Sequence, residues 1–554
     1  MPRLPHGQVV TAALVENLQS DVGRLFDDLQ RSIGQLIPRF PRPRPRDLQD
    51  FDFMFPTLQS KAANLLPEST QTLVHLKALA ATMEDLNELG GANDSPIPAA
   101  YTYFGQFVDH DVTFEVQPAD LPPSFSGSVQ ALLAEDMVPL PLKEIKNVIR
   151  NFRTATLDLD SLYDLPAPRD PENGDKLLVG KVEALGGTVK PLLRPPGKGD
   201  DNDLPREPRS DDILHDRAAL IGDPRNDENL IIAQLHVAFI KAHNRLVDEG
   251  RTFEQAQRVL RRHYQHIVLQ DFLKRVADPA IVDRILRQGN RWYKPSGGSV
   301  FMPLEFAVAG YRFGHTMVRA AYDFNLNFNL SGEQGTVPAT LEFLFTFTAL
   351  SGQVGFGPGG ETLPDNWIIE WENIIGDGSN PGRRARRFDT QLAALSGSNR
   401  VALFNLQTPD GQPEPGLAAH LSARNLLRGY RMRLPTGQAI AKHIGVPVLT
   451  AQQLRAAAAS SKQAQALQDG GFLERTPLWF YVLAEAKHHG GARLGPLGST
   501  LVAEVLIGLV RRSANSILVD PGWKPSLPST KRGKFELDDL LRFARVLPAS
   551  APTT

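Results

Sequence analysis

Four side chains in the stretch "FGQFVDHDVTF", residues 104–114, share one stripe if the stretch is helical. Gln106, Asp109, His110 and Thr113 recur at i, i+3, i+4 and i+7. Phe104, Phe107, Val108 and Val112 form the opposite, apolar face. A histidine flanked at that spacing by an amide and a carboxylate either faces a polar cavity or is an ordinary structural histidine. Asp111 breaks the pattern, since it points into the apolar side, where an uncompensated carboxylate is costly. A second oxygen-rich set stands in "TATLDLDSLYD", residues 154–164, where Thr154, Thr156, Asp158 and Asp160 alternate strictly. Oxygen donors at every second residue can wrap a hard cation such as Ca2+ in an extended loop, although the glycine and terminal glutamate of an EF-hand are missing. The plainer alternative is a solvated edge strand.

"IGDPRNDEN", residues 221–229, puts Arg225 and Glu228 three apart at the start of a helix, with Asp223 or Asn226 as its cap. A cap does not explain an arginine near the positive end of a helix dipole, so Arg225 is expected to face an anionic partner. His236 and His243 are seven apart on one helix face, too distant to share an ion unaided, and read as core histidines. "RFGHTMVR", residues 312–319, holds His315 in an apolar and aromatic setting, where a core histidine bonded to a carbonyl is the ordinary case. "ARNLLRGYRMRL", residues 423–434, places Asn425 and Arg428 on one face of a basic amphipathic helix.

The elements that must position these residues are mostly helical. "NLIIAQLHVAFIKAHNRLVDEG" and "TFEQAQRVLRRHYQHIVLQDFLKRVAD" carry apolar residues at helical spacing; "FAVAGYRFGHTMVRAAYDF" and "LAAHLSARNLLRGYRMRL" do so less cleanly. There is no strand-rich region and no repeat of 20–50 residues. The predicted class is mainly α, with little β structure. A Pro/Arg-rich arm over residues 1–60 precedes one large helical domain over 61–545, and residues 546–554 form a tail. The loop-rich connection over 164–224 is long enough that it should wrap a folded body or serve a function.

Composition narrows the partners. The 554 residues are 42% hydrophobic and 22% charged with a formal net charge of −2, which argues against nucleic acid or an anionic membrane. The absence of cysteine excludes disulfides, thiolate nucleophiles, Fe–S clusters and Cys-ligated metals. The N-terminus lacks a basic region followed by an apolar one, so no Sec signal is expected. The longest apolar run, "LGSTLVAEVLIGLV", contains Glu504 and reads as a buried helix, not a transmembrane segment. A cytoplasmic protein, or one exported by another route, follows as the expectation.

In order along the chain, "GQ..DHD", "TATLDLD", "GD.R..E", "R.GH" and "RN" resemble the motifs of the animal-type haem peroxidases of the peroxidase–cyclooxygenase superfamily. The resemblance covers roughly residues 100–545. It implies that His110 is the distal base and acid for peroxide, Arg225 the distal arginine, and Gln106 a neighbour of the halide site. It further implies His315 as proximal iron ligand, Asn425 as partner of that ligand's other nitrogen, and Arg312 and Arg428 near the haem propionates. Asp109 and Glu228 fall where relatives esterify the haem b methyls. Ca2+ would be held by Asp111 with Thr154, Thr156, Asp158 and Asp160. The implied activity uses H2O2, through an oxoferryl intermediate, to oxidise bromide, iodide, thiocyanate or a small organic donor. Asn229 stands where some relatives carry a methionine that forms a sulfonium link, so chloride oxidation is not expected. Two alternatives remain. A fatty-acid dioxygenase would need a radical tyrosine three residues before His315, where Arg312 stands beside Tyr311. A haem- or Ca2+-binding helical scaffold would need no turnover.

Overall fold

The computed structural model describes residues 10–11, 49–85, 93–117, 134–135, 137–164, 167–211, 216–294, 300–349, 362–376, 381–393 and 420–549. Most of the expected arm lies outside these residues. The described part of its end does not: Gln49–Asp52 is a strand, and Phe51, Phe53, Met54 and Phe55 are buried.

The helix Leu230–Asp248 forms where the sequence spacing placed it. Asn229 caps it by accepting from Ile232 N at 3.0 Å, and its apolar residues are buried nearly all round. The helix Ala100–Val112 packs against it, with Phe107 stacked on Phe239 at 4.6 Å. Phe253–His266 opens on a capping box made by Thr252 and Gln255 and runs through a π-turn, Ile267–Phe272, into Leu273–Val276. The long periodic pattern is therefore one helical run with a widened turn inside it.

Pro496–Arg512 is the buried helix expected from its apolar run. Glu504 within it accepts backbone N–H groups from Arg291, Trp292 and Tyr293 at 2.9, 3.0 and 3.1 Å, which compensates the buried carboxylate. Among the described residues no helix is long and apolar enough to cross a membrane.

The segment around His315 departs from expectation. A π-turn, Glu305–Ala309, passes into a 3-10 helix, Gly310–Met317, and the chain is extended by Ala321–Tyr322. The periodicity is helical, but the winding changes at Gly310. A Cβ there would lie 2.4 Å from Cδ2 of Leu501, so only glycine lets this turn press against the Pro496–Arg512 helix.

β structure is limited to short pieces. Five strands pair in the order Val10–Thr11, Glu115–Gln117, Arg150–Asn151, Gln49–Asp52 and Phe301–Pro303. This sheet ties the exit of the His110 helix to the segment that precedes Thr154. Asn151 reinforces the tie: its Oδ1 accepts from Phe114 N at 2.8 Å and its Nδ2 donates to Val112 O at 2.9 Å. A large hydrophobic core runs from Phe51 to Leu547, beside a small second cluster of Leu204, Ala219, Ile221, Ala233 and Val237. Within the loop-rich connection Arg206 holds Asp227 through two bonds of 2.7 and 2.9 Å.

Candidate active site

Three elements are buried except for one strip each. On Ala100–Val112 the open residues are Gly105, Gln106 and Asp109; on Gly310–Met317 they are Arg312, Gly314 and His315. On Leu421–Arg431, Arg428 and Gly429 are open while Asn425 is buried. The strips are neighbours, because the Arg312 guanidinium lies within electrostatic reach of Asp109 and Arg225. A Cβ on Gly314 would meet no atom within 4 Å, so there is room beside His315.

His110 is 1% exposed, and its Nδ1 lies 2.8 Å from Oδ1 of Asn226. Burial, and then the nearby Arg225 charge, push its pKa down to about 4, against the opposing pull of Asp223, Glu228 and Asp109. The ring is therefore neutral at neutral pH and can take up a proton.

Arg225 and Glu228 do not open the long helix. They belong to a separate 3-10 turn, Pro224–Asp227, capped by Asp223, and it is Asn229 that caps the following helix. The anionic partner expected for Arg225 is this same cap: Nε donates to Asp223 Oδ1 at 3.0 Å and Nη2 to Oδ2 at 2.7 Å. Nη1 has no hydrogen bond among the described residues and remains available. Asp223 also receives Nη2 of the buried Arg153, which further donates to His110 O at 3.1 Å and Gly222 O at 3.0 Å. Burial alone would raise the Asp223 carboxyl, but Arg225 and Arg153 hold it well below the usual carboxylate range.

Gln106 is gripped from two sides. Its Nε2 donates to Glu228 Oε1, and its Oε1 accepts from Asn229 Nδ2 at 3.2 Å. Asp109 Oδ1 accepts from Thr113 Oγ1 at 3.1 Å. Thr348 Oγ1 reaches Glu228 O at 3.2 Å, which pins the turn carrying Arg225 and Glu228.

Asp111 points away from this strip, as its place in the apolar face required. Its carboxylate accepts from Leu159 N at 3.2 Å and Ser161 N at 3.3 Å, within the 154–164 stretch. Residues 154–159 form a buried loop and not an edge strand, with Ala155 and Leu159 at positive φ of 50° and 57°. Thr154 and Asp160 are joined, Thr154 Oγ1 donating to Asp160 Oδ2 at 2.7 Å and standing 2.7 Å from Thr156 Oγ1. Asp158 turns aside, and its Oδ1 accepts from Ser513 Oγ. Burial and the neighbouring Asp160 raise the Asp111 carboxyl well above its ordinary value. Among the described residues these groups are not drawn into a closed shell of three or more metal-ligating side chains.

His315 Nδ1 lies 2.9 Å from the side-chain nitrogen of Asn425. Rotating that amide by half a turn keeps its shape and presents Oδ1 instead. In that orientation Nδ1–H donates and Nε2 keeps its lone pair for a ligand. Arg312 Nε donates to Ala307 O at 2.9 Å, leaving both Nη groups without a hydrogen bond among the described residues. Arg428, assigned with it to the same anionic role, pairs with Glu115 instead. His243 is the satisfied core histidine expected, bonded to Tyr163 Oη at 2.9 Å and Asp175 O at 3.0 Å. His236 is not merely that, because its Nδ1 meets Asn226 Nδ2 at 3.0 Å behind His110. Asn226, Asp223 and Arg153 are the site residues that sequence reasoning missed. Asp223 and Asn226 looked like caps, and nothing in the spacing singles out Arg153.

Comparison with known proteins shows what the chain resembles. Residues 182–350 match the family model described as animal haem peroxidase, a span that contains Arg225, Glu228, Arg312 and His315 but not His110 or Asn425. A peroxidase-like protein of Margaritifera margaritifera is 28% identical over 372 residues, which cover 60% of this chain and 44% of that protein. Myeloperoxidase of Mus musculus is 24% identical over 288 residues, covering 44% of this chain and 39% of that protein. Among solved structures, peroxidase A from Dictyostelium discoideum aligns with a TM-score of 0.50 at 13% identity, covering 86% of this chain and 89% of that one, a likeness of fold. Over residues 182–350 the chain is thus similar to the animal haem peroxidases. The matched stretches span less than half the length of these two curated relatives.

Proposed function

We propose that the chain is a haem-dependent peroxidase that uses H2O2 to oxidise bromide, iodide, thiocyanate or a small organic donor. The observation that carries this reading is the pairing of two imidazoles with opposite roles. His110 is buried, neutral and bonded at Nδ1, while His315 is bonded at Nδ1 beside open space.

The residues present fit haem b. His315 Nε2 would ligate the iron, Asn425 would orient that ring, and the open Nη groups of Arg312 suit a propionate. Arg428 would contribute only by leaving Glu115. Asp109 and Glu228 are carboxylates on the rim and are the candidates for ester links to the haem methyls. When bound, the haem supplies the metal that accepts the oxidising equivalents of peroxide.

The chain's own residues supply the rest. His110 Nε2 takes the proton of the attacking peroxide oxygen and returns it to the departing one. Arg225, fixed by Asp223, presents Nη1 to the negative charge that develops as the O–O bond opens. Gln106, immobilised by Glu228 and Asn229, lines the approach of the donor. Asp111, Asp160 and the Thr154 and Thr156 hydroxyls would hold Ca2+, with Asp158 joining on release from Ser513. A buried carboxylate pair of this kind needs a cation or a proton.

The dioxygenase alternative finds less support. Tyr311 donates its hydroxyl to Gly105 O at 3.1 Å and stacks on Phe306, so it is committed to backbone in an apolar cage. An absorption spectrum followed by acidic acetone extraction tests the cofactor and its attachment. Guaiacol or bromide oxidation by a haem-replete sample tests turnover; no oxidation of either overturns the reading.

A further inference from the structure

Behind His110 lies a second histidine that the proposed reaction does not use. His236 is 1% exposed and sits on the Leu230–Asp248 helix, its ring 6.0 Å from that of Phe107. Between the two imidazoles stands Asn226, fully buried, with Oδ1 at 2.8 Å from His110 Nδ1 and Nδ2 at 3.0 Å from His236 Nδ1. An amide carbonyl only accepts and an amide nitrogen only donates. In this arrangement His110 must carry its proton on Nδ1 and His236 on Nε2.

An amide turned the other way would donate to His110 Nδ1. His110 would then carry its proton on Nε2, the nitrogen proposed to receive one from peroxide. The two tautomers are thus set by one side-chain orientation, and His236 is the group that reads it from behind. Nothing else in the segment competes for the amide, because the caps on either side are made by Asp223 and Asn229.

We propose that Asn226 is a positioning residue that keeps the proton of His110 on Nδ1 and leaves Nε2 free as a base, its amide bridging to Nδ1 of His236. This inference rests on the reading of His110 as the base for peroxide. The chemistry is that of a carbonyl acceptor selecting one imidazole tautomer, as second-sphere partners do for ligating histidines.

The test uses the haem-replete full chain and two ligands that differ in one requirement. Hydrogen cyanide must give its proton to a base as it binds ferric haem, whereas carbon monoxide binds ferrous haem without proton transfer. Asn226→Leu, nearly isosteric, is expected to slow cyanide association by about tenfold or more while carbon monoxide association stays within about twofold. Asn226→Ala serves as the second variant if the leucine disturbs folding. Asn226→Asp keeps an acceptor for Nδ1–H and is expected to restore cyanide association to near the wild-type rate. An unchanged cyanide rate in both Leu and Ala variants overturns the proposal. So does equal slowing of the two ligands, or failure of Asp to restore the rate. A wild-type chain that holds haem but does not take up cyanide overturns the His110 reading itself, whatever the variants do.

Discussion

The side-chain amide of Asn425 meets the imidazole of His315 at Nδ1, 2.9 Å away, so the ring nitrogen that faces away from Asn425 is Nε2. A neutral amide draws less proton character from the ring than a carboxylate would, so His315 acting as an iron ligand would stay closer to plain imidazole. Replacing His315 by Ala is expected to abolish haem retention, read as loss of the Soret band after gel filtration. Asn425→Asp should retain haem but lower the Fe(III)/Fe(II) midpoint by on the order of 50 mV or more. Spectroelectrochemistry decides this, and an unmoved midpoint removes Asn425 from the proximal role.

His110→Ala should leave the haem in place and slow the first reaction with peroxide by about 10²–10⁴, the usual worth of a positioned acid–base group. Stopped-flow mixing with H2O2 measures it directly. A rate equal to that of the wild type would mean that another group moves the proton.

Asp111 on its helix is close enough to Asp160, at the end of the buried loop beside it, for that carboxylate to raise its cost of ionisation, and their charge is tolerable only when compensated. Chelation of Ca2+ is expected to lower the thermal midpoint and, through the adjacent His110, the peroxidase rate. Asp111→Asn should weaken retention of the ion and shrink the chelator effect. If metal analysis finds no calcium in the purified protein and chelator leaves the melting curve unchanged, the cation assignment fails.

Asp223 is fully buried between two guanidiniums, one of which, Arg153, is itself 0% exposed. Arg153→Leu removes one of these partners, and breaking a buried pair of this sort costs roughly 3–5 kcal/mol. Urea unfolding should show a lower midpoint at unchanged slope. A shift below about 1 kcal/mol would place the anchoring of His110 and Arg225 elsewhere.

Acid should unfold the protein earlier than its carboxylates alone require. Burial pushes His243 and His263 down to about 4 and His236 down to about 3. Each is neutral in the folded chain but protonates near 6.5 once unfolded. Between about pH 6.5 and 4 the unfolded state thus binds more protons, and stability falls as the pH is lowered. Each such histidine contributes a slope of up to about 1.4 kcal/mol per pH unit. Melting curves between pH 7 and 4 check this, and His243→Gln should flatten the decline if the substitution keeps the Tyr163 bond.

The sequence was informative where one residue type does one local job. Asp111 on the apolar face of its helix and Arg225 beside a cap that does not account for it were each legible as anomalies, whereas the cap of the long helix was read as Asp223 or Asn226 and is Asn229. The winding of residues 305–317 was not, because 3-10, π and α turns share nearly the same apolar spacing, and the decisive contact comes from Leu501, far away in the chain. The pairing of Asn226 with His236 was hidden for a similar reason. An asparagine near a helix start looks like a cap, and a histidine within an apolar helix looks like core. The pairing of Arg428 with Glu115 was likewise not legible, because Glu115 lies far away in the chain.

Arg153 has a consequence for how the molecule assembles. It binds the carbonyl of His110, 43 residues upstream, and the carboxylate of Asp223, 70 residues downstream, so three distant segments must meet before its charge is compensated. Closing loops of that span is entropically costly, and such contacts are made late. The arrangement of His110 and Arg225 is thus expected to be among the last parts of the chain to become ordered. A cofactor that needs this arrangement intact would then enter an almost finished protein, and its capture would report that folding is complete.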